Sequence, residues 1–183
     1  MNAGVRFVLL LCVAGVLGAC DSDDAAAPTT PPRTALEANA VVDRIVDGDT
    51  VDVIIDGTED RVRLIGIDTP EIAHASSGDR PGNDAECFAD DAHEFTRSLI
   101  DVGTPVRLER DTVGRDDYGR LLAYVYRADD GVFVNYELVR QGYATPLSIA
   151  PNTTFADLMV DAARRAEQDG AGLWSACAAP SGR

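Results

Sequence analysis

Three short runs of alternating apolar residues, separated by two tight turns, open the part of the chain that can fold. The runs are residues 40–47, 50–55 and 61–67, and the turns between them carry Asp, Gly and Thr. Alternation with a period of two predicts strands, and short Gly-containing turns join antiparallel neighbours. The sequence therefore predicts a three-stranded β-meander, whose third strand becomes fully apolar and runs into the core.

The remainder of this region predicts three helices and two more strands. Apolar residues spaced by three and four over residues 85–102 and 154–169 are typical of amphipathic helices, and a shorter helix is expected over residues 133–141. Residues 106–110 and 120–126 are predicted as the fourth and fifth strands. Five strands with a helix between the third and the fourth is the order of an OB-fold barrel. The predicted class is thus α+β, mainly β: a five-stranded OB-fold barrel with three helices.

The first forty residues have the pattern of an exported protein. Residues 1–19 combine one positive charge, Arg6, with an apolar run, as in a signal peptide. Cys20 ends a segment that resembles the lipobox of bacterial lipoproteins, although an ordinary signal peptide cut nearby is the alternative. Residues 20–40 are poor in large apolar side chains and predict a flexible linker. We expect an exported protein anchored by lipid to the bacterial cell envelope, or secreted if Cys20 is not lipidated.

Two further cysteines, Cys87 and Cys177, lie in the predicted domain of residues 41–177, which a short tail of residues 178–183 follows. Disulfides persist in exported proteins, so this pair is most simply one bridge, with a reactive thiol as the alternative. A bridge closing a loop of about 90 residues stabilises a fold by up to ~4.5 kcal/mol. No His cluster or second Cys pair supports a zinc site.

The formal charge is −15 over 183 residues. Such an acidic total argues against a broad surface for binding polyanions. It does not exclude a small site that holds its own cation, because a bound ion dominates the local field.

Acidic residues gather at the first turn and at the end of the third strand. Asp49 opens the second strand, and Asp68 and Glu71 follow the third. Carboxylate oxygens together with backbone carbonyls and water suit Ca²⁺. Thr69 is a candidate carbonyl ligand because Pro70 forces an extended kink after it. The alternative is that these residues form only a turn and a strand exit.

Four sequence blocks, taken together and in this order, resemble the staphylococcal nuclease (thermonuclease) family. They are residues 46–51, 63–71, 117–124 and 134–144, and the resemblance covers roughly residues 41–174. It implies a Ca²⁺-dependent phosphodiesterase that acts on DNA and RNA and leaves 3′-phosphate ends.

The resemblance also implies a role for each acidic residue of the site. Asp49 and Asp68 match the metal-binding aspartates of the family, and Thr69 matches the carbonyl ligand. Glu71 matches the glutamate that is usually assigned as general base. It can orient or deprotonate a water molecule for in-line attack.

Two arginines and a tyrosine complete the matched set. Arg63 and Arg120 match the phosphate-binding arginines, and Tyr118 matches a tyrosine near the terminal phosphate of the bound nucleotide. A phosphodiester transition state gathers negative charge on its equatorial oxygens. A cation and two guanidinium groups neutralise that charge, and arginine binds such oxygens bidentately.

One segment departs from the family pattern. Aromatic residues that stack on a base precede a Pro-Asn pair in the family, whereas residues 146–152 contain none. Stacking is worth ~1–3 kcal/mol per base, so weaker binding of bases is expected.

The alternative functions are a catalytically silent OB-fold envelope lipoprotein that binds nucleic acid or protein, and a lipoprotein with purely structural Ca²⁺. We expect a monomer whose partners are a nucleic-acid substrate and, through the N-terminal lipid, a membrane.

Overall fold

The computed structural model describes residues 34–76 and 82–177. In chain order, this part contains β1 (Ala40–Ile45), β2 (Thr50–Ile55), β3 (Thr58–Leu64), β4 (Gly66–Asp68), α1 (Ala89–Leu99), β5 (Pro105–Glu109), β6 (Leu121–Arg127), α2 (Val134–Arg140), β7 (Thr145–Leu147), α3 (Ala156–Gln168) and α4 (Leu173–Ala176). The predicted signal peptide, the lipidation residue Cys20, most of the linker and the C-terminal tail lie outside the described residues.

Five strands close into a barrel in the order β1, β2, β3, β6, β5. Neighbouring strands are antiparallel except for β3 and β6, which pair in parallel. Closure pairs both edges of the sheet, which removes the open edges that invite association with other chains. The predicted five-stranded OB-fold barrel, mainly β with helices, is confirmed.

The barrel interior follows from the alternation in the strands. Val51 and Val53 of β2 and Val62 and Leu64 of β3 are fully buried, while the residues between them on β3 face outward. Burying each such side chain stabilises the fold by about 1.5–3 kcal/mol. The outward positions of the same strands are therefore free to carry polar groups, and Arg63 of the candidate site occupies one of them.

The predicted continuous strand over residues 61–67 is wrong, because β3 ends at Leu64 and a separate strand begins at Gly66. Gly66 has φ 82°, a conformation that glycine adopts without steric cost and that redirects the chain here. The new strand, β4, then pairs with β7, and Asp68 lies opposite Thr145. This small two-stranded sheet holds Asp68 beside the barrel.

The three predicted helices are confirmed, with shorter bounds, and a single turn, α4, was not predicted. The first helix begins at Ala89 rather than near residue 85, because Phe88 has φ 71° and cannot continue a helix. Val102, at the end of the predicted range, lies beyond the helix and is 64% exposed. No helix within residues 34–76 and 82–177 is long and apolar enough to cross a membrane.

The predicted bridge between Cys87 and Cys177 is confirmed, with an S–S distance of 2.09 Å. It joins the segment before α1 to the residue after α4. The chain is thereby tied across a sequence separation of 90 residues.

Candidate active site

Asp49, Asp68 and Thr69 come together where β2 begins and β4 ends. The Thr69 N–H donates a hydrogen bond of 2.9 Å to Asp49 Oδ2, which also forms an ion pair with Nη1 of Arg63. The Nη2 of Arg63 donates to Asp68 Oδ1 at 2.8 Å. One guanidinium group, only 14% exposed, therefore bridges both predicted metal-binding aspartates.

The turn before β2 fixes this cluster through close packing. A Cβ at Gly48 would lie 2.6 Å from the Thr69 Oγ1, so only glycine fits there. The Gly48 carbonyl accepts a hydrogen bond of 2.7 Å from the hydroxyl of Thr96 on α1. Asp47 Oδ1 accepts one of 3.0 Å from the Asp49 N–H. These contacts hold the turn and the end of β4 together.

Burial raises the pKa of Asp49 to about 7. The cation Arg63 opposes this rise, and the carboxylates of Asp47 and Asp68 add to it. Several acidic groups are thus crowded around one buried carboxylate, which favours occupation by positive charge.

The donor set fits a hard divalent cation. Among the residues described, no group of three or more His, Cys, Asp or Glu side chains is arranged to hold a metal ion. Ca²⁺, however, completes its shell with backbone carbonyls and water, so two carboxylates and the Thr69 carbonyl suit it. The crowding around Asp49 is also the kind of repulsion that a bound cation relieves.

Glu71 follows β4 and is held through its backbone by Glu86. Its N–H donates to Glu86 Oε2 at 3.0 Å, and its carbonyl accepts from the Glu86 N–H at 2.9 Å. Burial raises the pKa of the Glu71 carboxyl, with a further rise from Asp47 and an opposing effect of Arg63. A carboxyl group in this environment accepts a proton more readily than an ordinary glutamate.

Arg120 and Tyr118 lie on the turn before β6. Asp116 organises this turn, because it accepts hydrogen bonds from Arg120 Nε at 2.7 Å and from the Tyr118 N–H at 3.0 Å. The Arg120 guanidinium carbon is 5.4 Å from the centroid of the Tyr118 ring, which is consistent with a cation–π contact. Tyr118 itself is 83% exposed.

An open groove of about 900 Å³ is lined by Asp47, His74, Tyr118 and Arg120, among other residues. The predicted acidic cluster and Arg63 are not among its lining residues. Asp47, whose carboxylate accepts a hydrogen bond from the Asp49 N–H, is the point at which this groove approaches that cluster.

The family model described as staphylococcal nuclease homologue matches residues 61–176 of this chain. The chain belongs to the staphylococcal nuclease family. The resemblance inferred from the four sequence blocks is thereby confirmed.

Individual members of the staphylococcal nuclease family are similar in sequence to this chain over most of its length. A thermonuclease of Staphylococcus intermedius is 34% identical over 134 residues, which is 73% of this chain and 74% of that protein. A thermonuclease of Staphylococcus hyicus is 32% identical over 141 residues, 77% of this chain and 78% of that protein. The endonuclease YncB of Bacillus subtilis is 36% identical over 139 residues, 75% of this chain and 62% of that protein.

Sequence reasoning missed two residues that shape this staphylococcal nuclease family site. Asp47 was considered only as part of a turn, yet its carboxylate acts on the pKa of both Asp49 and Glu71. Glu86 positions Glu71 from outside the predicted set, and this contact depends on folding. The sequence offers Asp116 and Asp117 as possible partners of Arg120, and the structure pairs Arg120 with Asp116.

Proposed function

We propose that this protein is a Ca²⁺-dependent nuclease that hydrolyses phosphodiester bonds of DNA and RNA and leaves 3′-phosphate ends. The observation that carries the proposal is the cluster in which Arg63 contacts both Asp49 and Asp68 beside Thr69. Membership of the staphylococcal nuclease family supports it, as do relatives named thermonuclease and endonuclease.

Asp49, Asp68 and the carbonyl of Thr69 would hold the cation, which when bound supplies positive charge beside the phosphate. Arg120, which lines the open groove, binds the phosphate. Its Nε is fixed by Asp116, and no residue of the described ranges accepts a hydrogen bond from its Nη1 or Nη2. These two nitrogens can contact two phosphate oxygens at once, so charge that develops in the transition state is neutralised.

Glu71 acts as the general base in this proposal. It takes a proton from the water whose oxygen attacks phosphorus, and the bond from phosphorus to the 5′-oxygen breaks on the opposite side. Arg120 donates a hydrogen bond to the leaving 5′-oxygen, which takes a proton from solvent water to become the 5′-hydroxyl, and Glu71 releases its proton to solvent. The raised pKa of Glu71 makes it a stronger base than an ordinary glutamate, and Glu86 fixes the backbone from which it projects.

The protein is further proposed to act outside the cytoplasm as a monomer. Residues 1–19 serve as the export signal, Cys20 is lipidated, and residues 20–40 link the lipid to the nuclease domain. The bridge between Cys87 and Cys177 supports this, because disulfides persist in exported proteins. Mass spectrometry of the protein from its own membranes tests the lipid on Cys20.

Cleavage assays separate the nuclease from a silent OB-fold module or a structural Ca²⁺ protein. The mature protein is incubated with single-stranded DNA, double-stranded DNA and RNA, in Ca²⁺ or in chelator. Cleavage is expected only with Ca²⁺. Arg120→Ala should lower kcat about 10²–10³-fold, the loss seen when one preorganised oxyanion donor is removed. No Ca²⁺-dependent cleavage by the intact protein would contradict the proposal.

A further inference from the structure

Four side chains form a row across the outer face of the barrel. Arg44 on β1 lies opposite Asp52 on β2, and Asp52 lies opposite Arg61 on β3. The first residue pair between β3 and β6 is Val62 with Leu121, so Arg61 and Arg120 each lie one residue before it on neighbouring strands. Adjacent strands are about 4.8 Å apart. The row therefore begins at Arg120, the proposed catalytic arginine, and continues across β3 and β2 to β1.

Asp52 fixes the two arginines beside it. Its side chain is only 1% exposed, and Arg61 binds it through Nε at 2.7 Å and Nη2 at 3.1 Å. Arg44 binds Oδ2 through Nε at 3.1 Å and also through Nη2. Hydrogen bonding from Arg61, with a further contribution from Arg44, holds the pKa of Asp52 below its usual range, so this carboxylate stays ionised.

Each of these arginines keeps one nitrogen for another ligand. Nη1 of Arg61 and Nη1 of Arg44 find no acceptor within residues 34–76 and 82–177. Their side chains are 46% and 58% exposed. A guanidinium whose other edge is already held loses little conformational freedom when it binds an anion.

Three of the four residues of the row, Asp52, Arg61 and Arg120, line the open groove, and Arg44 is not among its lining residues. Asp47, Glu59 and Asp60 line the groove as well, and Asp60 is bound by Arg115 through Nη1 at 3.0 Å. The positive charge of the row, three arginines against one aspartate, is therefore confined to the row itself.

We propose that Arg61 and Arg44 form a second phosphate subsite, which binds the phosphate next to the scissile one in a single-stranded nucleic acid. This inference rests on the proposed nuclease function. Arg120 takes the scissile phosphate, and the fixed pair on Asp52 takes its neighbour. The subsite gives an acidic protein a local means of holding a polyanion without a basic surface.

The subsite is tested by comparing a long substrate, which can reach it, with a substrate too short to do so. KM is measured for a single-stranded 12-nucleotide DNA and for a dinucleotide, which has only one phosphodiester. Arg61→Gln and Arg44→Gln are made singly, so that Asp52 always keeps one arginine. Each is expected to raise KM for the long substrate about tenfold, roughly the worth of one charge-assisted hydrogen bond, and to raise it less for the dinucleotide. Arg61→Lys, which keeps the charge, should fall between Arg61→Gln and the unmodified protein.

Arg97→Gln is the matched control, because Arg97 lies on α1 and is 48% exposed. It should leave both KM values unchanged. Equal losses on both substrates would overturn the subsite, since Arg61 would then only support Arg120, and so would no loss on either. Fluorescence anisotropy with the 12-mer gives Kd without cleavage. An inactive but binding protein would refute the nuclease proposal, and the variants' Kd values would still decide whether the row binds phosphate.

Discussion

Asp49 lowers the stability of the fold when its carboxyl is ionised, yet the proposed binding of a cation requires that ionised form. Its pKa rises to about 7 on folding because the carboxyl is buried, so the folded state binds its proton more tightly than the unfolded chain. Its contribution to stability is therefore complete below the unfolded pKa of about 3.9 and is lost as pH rises through about 7. The proposed cation site is therefore destabilising until a cation fills it.

Asp49→Asn should therefore stabilise the protein in chelator at pH 8, by on the order of 1–3 kcal/mol, and by much less at pH 4. Urea unfolding at the two pH values measures the difference. Added Ca²⁺ at pH 8 should stabilise the unmodified protein and leave the variant unchanged. Asp43→Asn, at an exposed position of β1, serves as the control. A variant that is less stable than the unmodified protein at pH 8 in chelator would contradict this account.

Glu71 sets the acid limb of the pH–rate profile in the proposed mechanism. A general base works only when deprotonated, and the pKa of Glu71 is raised by burial and by Asp47, so kcat should fall as pH drops through a value above that of an ordinary glutamate. Glu71→Gln should lower kcat about 10²–10⁴-fold and remove this limb. Glu94→Gln, on the exposed side of α1, should keep both the rate and the limb. An acid limb that survives in Glu71→Gln would assign the base elsewhere.

At the scale of elements, the disulfide and the backbone of Glu71 are connected. Cys87 adjoins Glu86, which contacts both the N–H and the carbonyl of Glu71. Replacing Cys87 and Cys177 by Ser should reduce the free energy of unfolding by about 2–4 kcal/mol. It should also lower kcat several-fold at temperatures where the protein remains folded, because the segment that positions Glu71 is released.

Glu86→Ala in the oxidised protein separates the two effects. It should reproduce most of the loss in kcat with little loss of stability, whereas Glu86→Gln, which keeps an acceptor oxygen, should be close to the unmodified protein. Hydrogen–deuterium exchange of the peptide that contains Glu71 reports the contact directly. Unchanged exchange in Glu86→Ala would contradict the proposed link.

The helices and strands could be predicted only where the repeat of apolar residues extended over enough positions to be recognised. Residues 50–55 and 61–64 alternate clearly, and the barrel follows from them. The pair β4 and β7 could not be predicted, because three-residue strands show no period and Asp68 meets Thr145 only after folding. The same holds for Asp52 and Glu86, whose roles depend on partners across a strand or a loop. Asp49, Asp68 and Arg63 were found because motifs, rather than periodicity, mark them.

For the whole molecule, the charge of −15 shapes how salt acts on the proposed reaction. Added salt screens the long-range repulsion of a polyanion, and it also weakens the few phosphate contacts. Because these contacts are few, kcat/KM at fixed Ca²⁺ should stay level or rise up to about 0.15 M NaCl. Assays on a single-stranded oligonucleotide across this range measure it. A log–log slope steeper than about −2 would require more phosphate contacts than the site offers.

The parallel pairing of β3 with β6 has a consequence for the timing of activity. Arg63 and Leu122 meet across this pair, and Asp68 is held by Thr145 still later in the chain. A nascent polypeptide thus contains Asp49, Asp68 and Glu71 before the strands that arrange them have emerged. The proposed activity therefore requires completed folding, because the site is assembled only when the late strands pair.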